Sequence, residues 1–147
     1  MRIAFYLAAI IFLSHFALGC GKDDGPALAR VSGTVTLDGQ PVQNAGLEFI
    51  ADAGGVSYGK TDASGRYEMY FGSDRTGAVV GRNRVRITAG DKVVVGGKEF
   101  QSTEVFPPKY NRESEEFVDV ARGGNSLDFK CESGSFKAKQ TVSRGGN

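Results

Sequence analysis

Few residues in this chain are of types that do chemistry, and its two cysteines come first. Cys20 stands where an apolar run gives way to Gly21-Lys22-Asp23-Asp24, and Cys131 lies toward the other end. Three readings of Cys20 are open: a thiol lipidated after export, a disulfide partner for Cys131, or the end of a buried segment. The sole histidine, His15, lies within the apolar run. Once that run is removed, no imidazole remains to act as a base, to activate a nucleophile or to bind a metal. Cys131 alternates with Leu127 and Phe129 in NSLDFKCES, which places it on an apolar face as a buried, inert thiol. Asp23 and Asp24 fall short of the six or more oxygen ligands that calcium takes and read as a solvated spacer. Glu113, Glu115 and Glu116, beside Arg112, read as surface charge, because nothing in their spacing sets two carboxylates across a cleft. Arg84 and Arg86 share one strand face as solvated or paired groups, while Tyr58, Tyr70 and Tyr110 are expected at the surface, available to a partner. No catalytic set, cofactor or metal is expected.

The residues before Cys20 have the form of an export signal. Arg2 is the only charge, the apolar character runs from Ile3 through Leu18, and small residues precede the cysteine. The run is short for a bilayer-spanning helix, which takes about 20 residues; a retained membrane anchor is the competing reading. Ala17-Leu18-Gly19 fits the small-x-small rule of ordinary signal peptidase. It also resembles the bacterial lipobox, with Ala17 standing where Leu is preferred. The expectation is therefore a lipoprotein with signal 1–19, lipidation at Cys20 and a tether over 20–30. Two or three acyl chains would hold it firmly, where one holds marginally. Gly21 stands where an inner-membrane retention aspartate is common in enteric bacteria, which permits an outer-membrane address facing the periplasm or the outside.

Removing residues 1–19 from the 147 leaves 128, enough for one domain with one core. Of 18 basic and 17 acidic residues only Arg2 departs with the signal, so the mature charge is balanced and gives no reason to expect nucleic acid. Lys137, Lys139 and Arg144 make a small basic tail over 133–147 without an acid. Tryptophan is absent, so any aromatic platform relies on Tyr or Phe.

The elements that would position these residues are strands. VSGTVTL puts Val31, Gly33, Val35 and Leu37 on one face; AGLEFIA does the same for Ala45, Leu47, Phe49 and Ala51. A short extended piece is expected around Val56 and Tyr58. RYEMYF points Tyr67, Met69 and Phe71 inward, and NRVRITA does so for Val85, Ile87 and Ala89. A further strand is expected from Phe117 to Val120, and another through Leu127, Phe129 and Cys131. Turns fall at Asp38-Gly39, at residues 62–65 and at the Gly-Gly pairs 54–55, 96–97 and 123–124. Pro107-Pro108 is incompatible with a central strand. Residues 90–106 read equally as strand or loop. No stretch has a 3.6-residue period. About seven short strands predict an all-β, antiparallel Greek-key β-sandwich, with a small barrel as the competing shape.

Residues 31–132 resemble a known family. Gly33 and Val35, then Gly39, Pro41 and Val42, then Thr61, Asp62, Gly65 and Tyr67 are similar to the strand and turn signature of carboxypeptidase regulatory-like, or transthyretin-like, β-sandwiches. The later stretch with Pro107 or Pro108, Lys109, Tyr110, Asn111, Gly124, Asn125 and Phe129 resembles the version of the module found in small lipoproteins of planctomycete-type bacteria. Glu115, Glu116 and Phe117 depart from the Thr-Leu pair with which that strand usually begins. The turn residues have physical reasons of their own. Gly39 and Gly65 permit conformations a Cβ penalises, Pro41 sets φ, and Asp62 caps its turn.

The resemblance implies a prealbumin-like fold and, by analogy with accessory domains of carboxypeptidases, a non-catalytic role. Hydrolases of cyclic ureides on this fold use histidine and a C-terminal motif that the mature chain lacks. The expected function is a non-enzymatic cell-envelope lipoprotein with a structural or protein-interaction module, bound to membrane lipid through its acylated cysteine and to an envelope protein or glycan. The alternative is a carbohydrate- or small-ligand-binding accessory protein, which calls for a concave patch of Tyr beside polar groups.

Overall fold

Side chains along extended chain point alternately to opposite faces, so a sequence that alternates apolar with polar residues can bury one face of a sheet. The computed structural model of the protein describes residues 25–101 and 104–136 and is all-β. In chain order the strands are β1 (Leu28–Leu37), β2 (Gln40–Ala51), β3 (Val56–Lys60), β4 (Arg66–Phe71), β5 (Arg75–Thr76), β6 (Ala78–Val79), β7 (Gly81–Val95), β8 (Lys98–Gln101), β9 (Phe117–Val120), β10 (Gly124–Ser126) and β11 (Phe129–Cys131). One turn of 3-10 helix, Pro108–Tyr110, follows the expected break at Pro107-Pro108. Among the described residues no helix is long and apolar enough to cross a membrane. The expected signal, Cys20, Asp23, Asp24 and the tail beyond residue 136 lie outside the described residues.

The ladders β1–β4, β4–β3, β3–β2 and β2–β1 close on themselves as a ring of four strands. β7 extends the ring from β2, and its far edge pairs with β9 at one end and β8 at the other. Eleven strands stand where about seven were expected. β5 and β6 are only two residues long, too short for an alternation, β8 lies in the open stretch 90–106, and β10 is split from the strand expected through Leu127. The open stretch 90–106 resolves in part. β7 runs through to Val95, turns at Gly96-Gly97 (φ 54° and 78°) and returns as β8.

The expectation of a wholly antiparallel sheet is corrected at the C-terminus, where β10 and β11 run parallel to β1. Alternation is the same in parallel and antiparallel ladders, so direction leaves no trace in the sequence. The single strand expected through Leu127 is also cut in two. β10 and β11 keep one common register against β1, from Arg30↔Gly124 to Leu37↔Cys131, but the ladder lapses opposite Gly33. There the Leu127 backbone crosses β1 in the space a side chain would occupy. A Cβ on Gly33 would overlap the Leu127 carbonyl oxygen. Tyr67, directly opposite Gly33 on β4, fills the remaining gap and donates its hydroxyl to that same oxygen at 2.7 Å.

The core lies inside the ring and under β7. Val31, Val35, Leu47, Phe49, Met69, Val85 and Ile87 are fully buried on the faces the alternation predicts. Phe129 meets Phe49 edge-on and Tyr67 at a tilt, both with centroids 6.1 Å apart. Val105 and Phe106 also belong to the core, although the sequence offers no strand pattern there. Ala78 and Val79 are buried against β1.

Gly33 and Gly39 separate the two costs of adding a side chain. Gly39 has φ 79° but open space around it, while Gly33 has a backbone in the way. Urea unfolding is expected to show Gly39→Ala losing about 1 kcal/mol to backbone strain. Gly33→Ala should lose on the order of 3 kcal/mol through overpacking. Equal losses would remove the crossing at Leu127 as the reason for this glycine.

Candidate functional site

The residues singled out by the resemblance are placed first, because most prove to hold the fold together. Thr61 is buried, and its hydroxyl accepts the Ala45 N–H at 2.8 Å. A bulge in β2 between Gln43 and Ala45, with Asn44 at φ 64°, leaves that N–H without a ladder partner. Asp62 caps its turn as expected: one carboxylate oxygen accepts the Ser64 N–H, the Ser64 hydroxyl and the Arg66 N–H. Gly65, at φ 77°, packs against Pro41 and the Val35 carbonyl. Asn125 accepts from the Ala121 N–H and donates to the carbonyls of Ala121 and Arg30, stitching β10 to β1. Lys109 lies over the Tyr110 ring at 4.8 Å.

Tyr110 corrects one expectation. It is half-buried, meets Phe106 edge-on, and its hydroxyl accepts the Glu132 N–H at 2.9 Å. It fastens the C-terminal strand and does not offer a free surface. Glu113, Glu115 and Glu116 are exposed, and Glu113 pairs with neighbouring Arg112 at 3.3 Å. Among the described residues no three His, Cys, Asp or Glu side chains converge as a metal site would require.

Three contacts on the C-terminal strand depend on ionised carboxylates or on burial. Asp128 accepts from both the Thr34 N–H and hydroxyl at 2.8 Å, and Asp38 accepts from the Ser133 N–H and hydroxyl at 2.9 and 2.6 Å. These bonds hold both carboxyls below the usual aspartate range, and the Ser64 and Arg66 bonds do the same for Asp62. Cys131 is 2% exposed and free, and burial pushes its thiol up to about 12.

Among the described residues, the outward face of the sheet carries a row of side chains aimed at solvent. Tyr58 on β3 is directly opposite Tyr70 on β4, and they are 51% and 40% exposed. The same row continues through Glu48 on β2, opposite Tyr58, to Arg86 on β7, opposite Glu48. Four neighbouring strands thus present Tyr70, Tyr58, Glu48 and Arg86 side by side over about 14 Å. Arg86 pairs with Glu48 at 3.4 Å, and its Nε donates to the Asn111 carbonyl, which fixes the guanidinium. Tyr70 donates to Glu68 at 2.9 Å, and that bond raises its phenol above the ordinary tyrosine range. The tyrosines open onto a shallow depression of about 620 Å³ that reaches Lys60, Asp62, Arg66 and Ser73. Sequence analysis named Tyr58 and Tyr70 but not Glu48; only strand register brings it beside them. Arg86 is paired, one of the two states expected for it.

Comparison of the chain with protein-family models and with curated proteins finds no match.

Depressed carboxyl pKa values contribute stability that is present above the unfolded value near 4 and lost as pH falls through the folded value. Thermal melts are expected to hold steady from pH 7 to about 5 and to fall steeply below about pH 4. Asp128→Asn should melt lower at pH 7 and show a shallower acid limb; a limb unchanged in slope would remove Asp128 from the acid response. For Cys131, a soluble disulfide reagent at pH 8 is expected to leave the folded thiol unmodified and to label it in urea, read by peptide mass. Labelling of the folded protein would contradict its burial.

Proposed function

We infer that the chain is a non-enzymatic binding module of the cell envelope, tethered to membrane lipid through an acylated Cys20. Its globular part is a transthyretin-like Greek-key sandwich of the carboxypeptidase regulatory-like type. Support for the family reading comes from the all-β content and from Gly33, Gly39, Pro41, Thr61, Asp62, Gly65 and Tyr67 acting as turn and packing residues; the closed ring of β1 to β4 is the feature that favours the competing small barrel. Support for the anchor comes from the sequence before residue 20 alone. The envelope address, the outer-membrane or periplasmic face and the absence of a nucleic-acid partner rest on that sequence and on balanced charge.

One observation carries the binding role: two half-exposed tyrosines stand in register on an outward sheet face, next to a fixed Glu48–Arg86 pair. Burying aromatic surface against a partner is favourable, and adjacent exposed aromatics bordered by polar groups are the form that interaction sites take. The partner is an envelope protein or glycan.

Two measurements test this reading. Intact mass of the native protein from the membrane fraction is expected to start at Cys20 and to include diacylglycerol and an acyl chain. An unlipidated start in the soluble fraction would overturn the anchor. A photo-crosslinking side chain at position 58 is expected to give an adduct in intact cells, and one at position 122 none. Equal crosslinking from both positions would remove the tyrosine face as the binding surface.

A further inference from the structure

The tyrosine row has a geometry that selects among partners. Directly opposed side chains on neighbouring strands stand about 5 Å apart at Cβ, so Tyr58 and Tyr70 set two exposed aromatic side chains next to each other on the sheet. Aromatic faces carry partial negative charge and attract weakly positive hydrogens. The flat face of a pyranose ring presents such C–H groups, while its hydroxyls point outward in the ring plane. Glu48 continues the row with carboxylate acceptors and Arg86 with guanidinium donors, the complement that hydroxyls need. Both are only half-exposed and already positioned, Arg86 by the Asn111 carbonyl and Glu48 by Arg86, so little ordering remains to be done on binding. Glu68 holds the Tyr70 hydroxyl in the same way.

A protein partner would set the tyrosines in a different surround. Stable protein interfaces bury roughly 800 Å² a side around a centre that is rich in aromatic residues and poor in Lys, Glu and Asp. Here the two tyrosines are ringed by Lys60, Glu68, Glu48 and Arg86, and the aliphatic surface beside them is one half-buried pair, Ile50 opposite Val56. The depression is open, which suits a chain lying across it.

We propose that the outer face of β2, β3, β4 and β7 binds polysaccharide, with Tyr58 and Tyr70 stacking on sugar rings and Glu48 and Arg86 hydrogen-bonding their hydroxyls. The proposal rests on the reading of this chain as a binding module and names its ligand class.

The test uses the full chain purified in detergent, mixed with washed peptidoglycan sacculi, cellulose or chitin and assayed for depletion from the supernatant. Depletion by at least one polysaccharide is expected. Tyr58→Ala and Tyr70→Ala should each weaken it about five-fold, Tyr58→Phe should retain it, and Arg122→Ala should leave it unchanged. Far-UV spectra and melting temperatures establish that the variants fold. With no tryptophan in the chain, tyrosine fluorescence titrated with the matching soluble oligosaccharide gives a second readout, expected to lose its amplitude in Tyr58→Ala. Depletion by none of the three, or depletion that both alanine variants retain in full, overturns the proposal. If depletion fails while position 58 still crosslinks to an envelope protein, the glycan is wrong and the binding module stands. If both fail, both readings fall.

Discussion

The organising constraint is the hydrogen-bonding capacity of β1. A strand offers one row of backbone groups to each side, and β1 divides its ten residues among five partners: β6 at Leu28 and Ala29, β10 and β4 in the middle, β11 and β2 at its end. The sharing works because the parallel C-terminal strand steps aside at Leu127 and resumes in register at Phe129. Gly33 makes room for that step and Tyr67 closes it. The family-like Gly-x-Val and Gly-x-Tyr residues are thus two sides of one contact.

The C-terminal strand is held differently from the rest of the sheet. β2 and β7 share a long ladder over a buried apolar face, so hydrophobic burial and backbone bonding reinforce each other. β10 and β11 contribute Phe129 and Cys131 to the core, but much of their attachment comes from polar side chains: Asp128 to Thr34, Asp38 to Ser133, Asn125 to Arg30, and Tyr110 to Glu132. Ionised acceptors make the stronger hydrogen bonds, and those of Asp38 and Asp128 are exposed and open to protonation. The edge that completes the fold therefore shares its acid sensitivity with the Asp62 turn.

Inner and outer faces of the ring serve separate ends. The inner face is filled by Phe49, Met69, Val35 and their neighbours, and its cost of disruption is felt by the whole fold. The outer row of Tyr70, Tyr58, Glu48 and Arg86 contributes little to the core, because the Glu48–Arg86 pair is half-solvated and the tyrosine rings are open to water. Such a row can vary or be replaced without unfolding the domain, which is the condition for a surface devoted to recognition.

The sequence by itself determined that the chain is extended, which face of most strands is buried, and where the chain turns. These are local properties: alternation at Val31 to Leu37 or Tyr67 to Phe71, and glycines where φ is positive. It also marked Cys131 as inward-facing and Tyr58 and Tyr70 as outward-facing. Only the tertiary structure decided that the last strands run parallel to β1, that Val105 and Phe106 enter the core, that Tyr110 is a fastener, and that Glu48 and Arg86 stand beside two tyrosines from other strands. The reason is that pairing partner, direction and register join residues far apart in the chain, and no local pattern of side chains encodes which strand will lie alongside which.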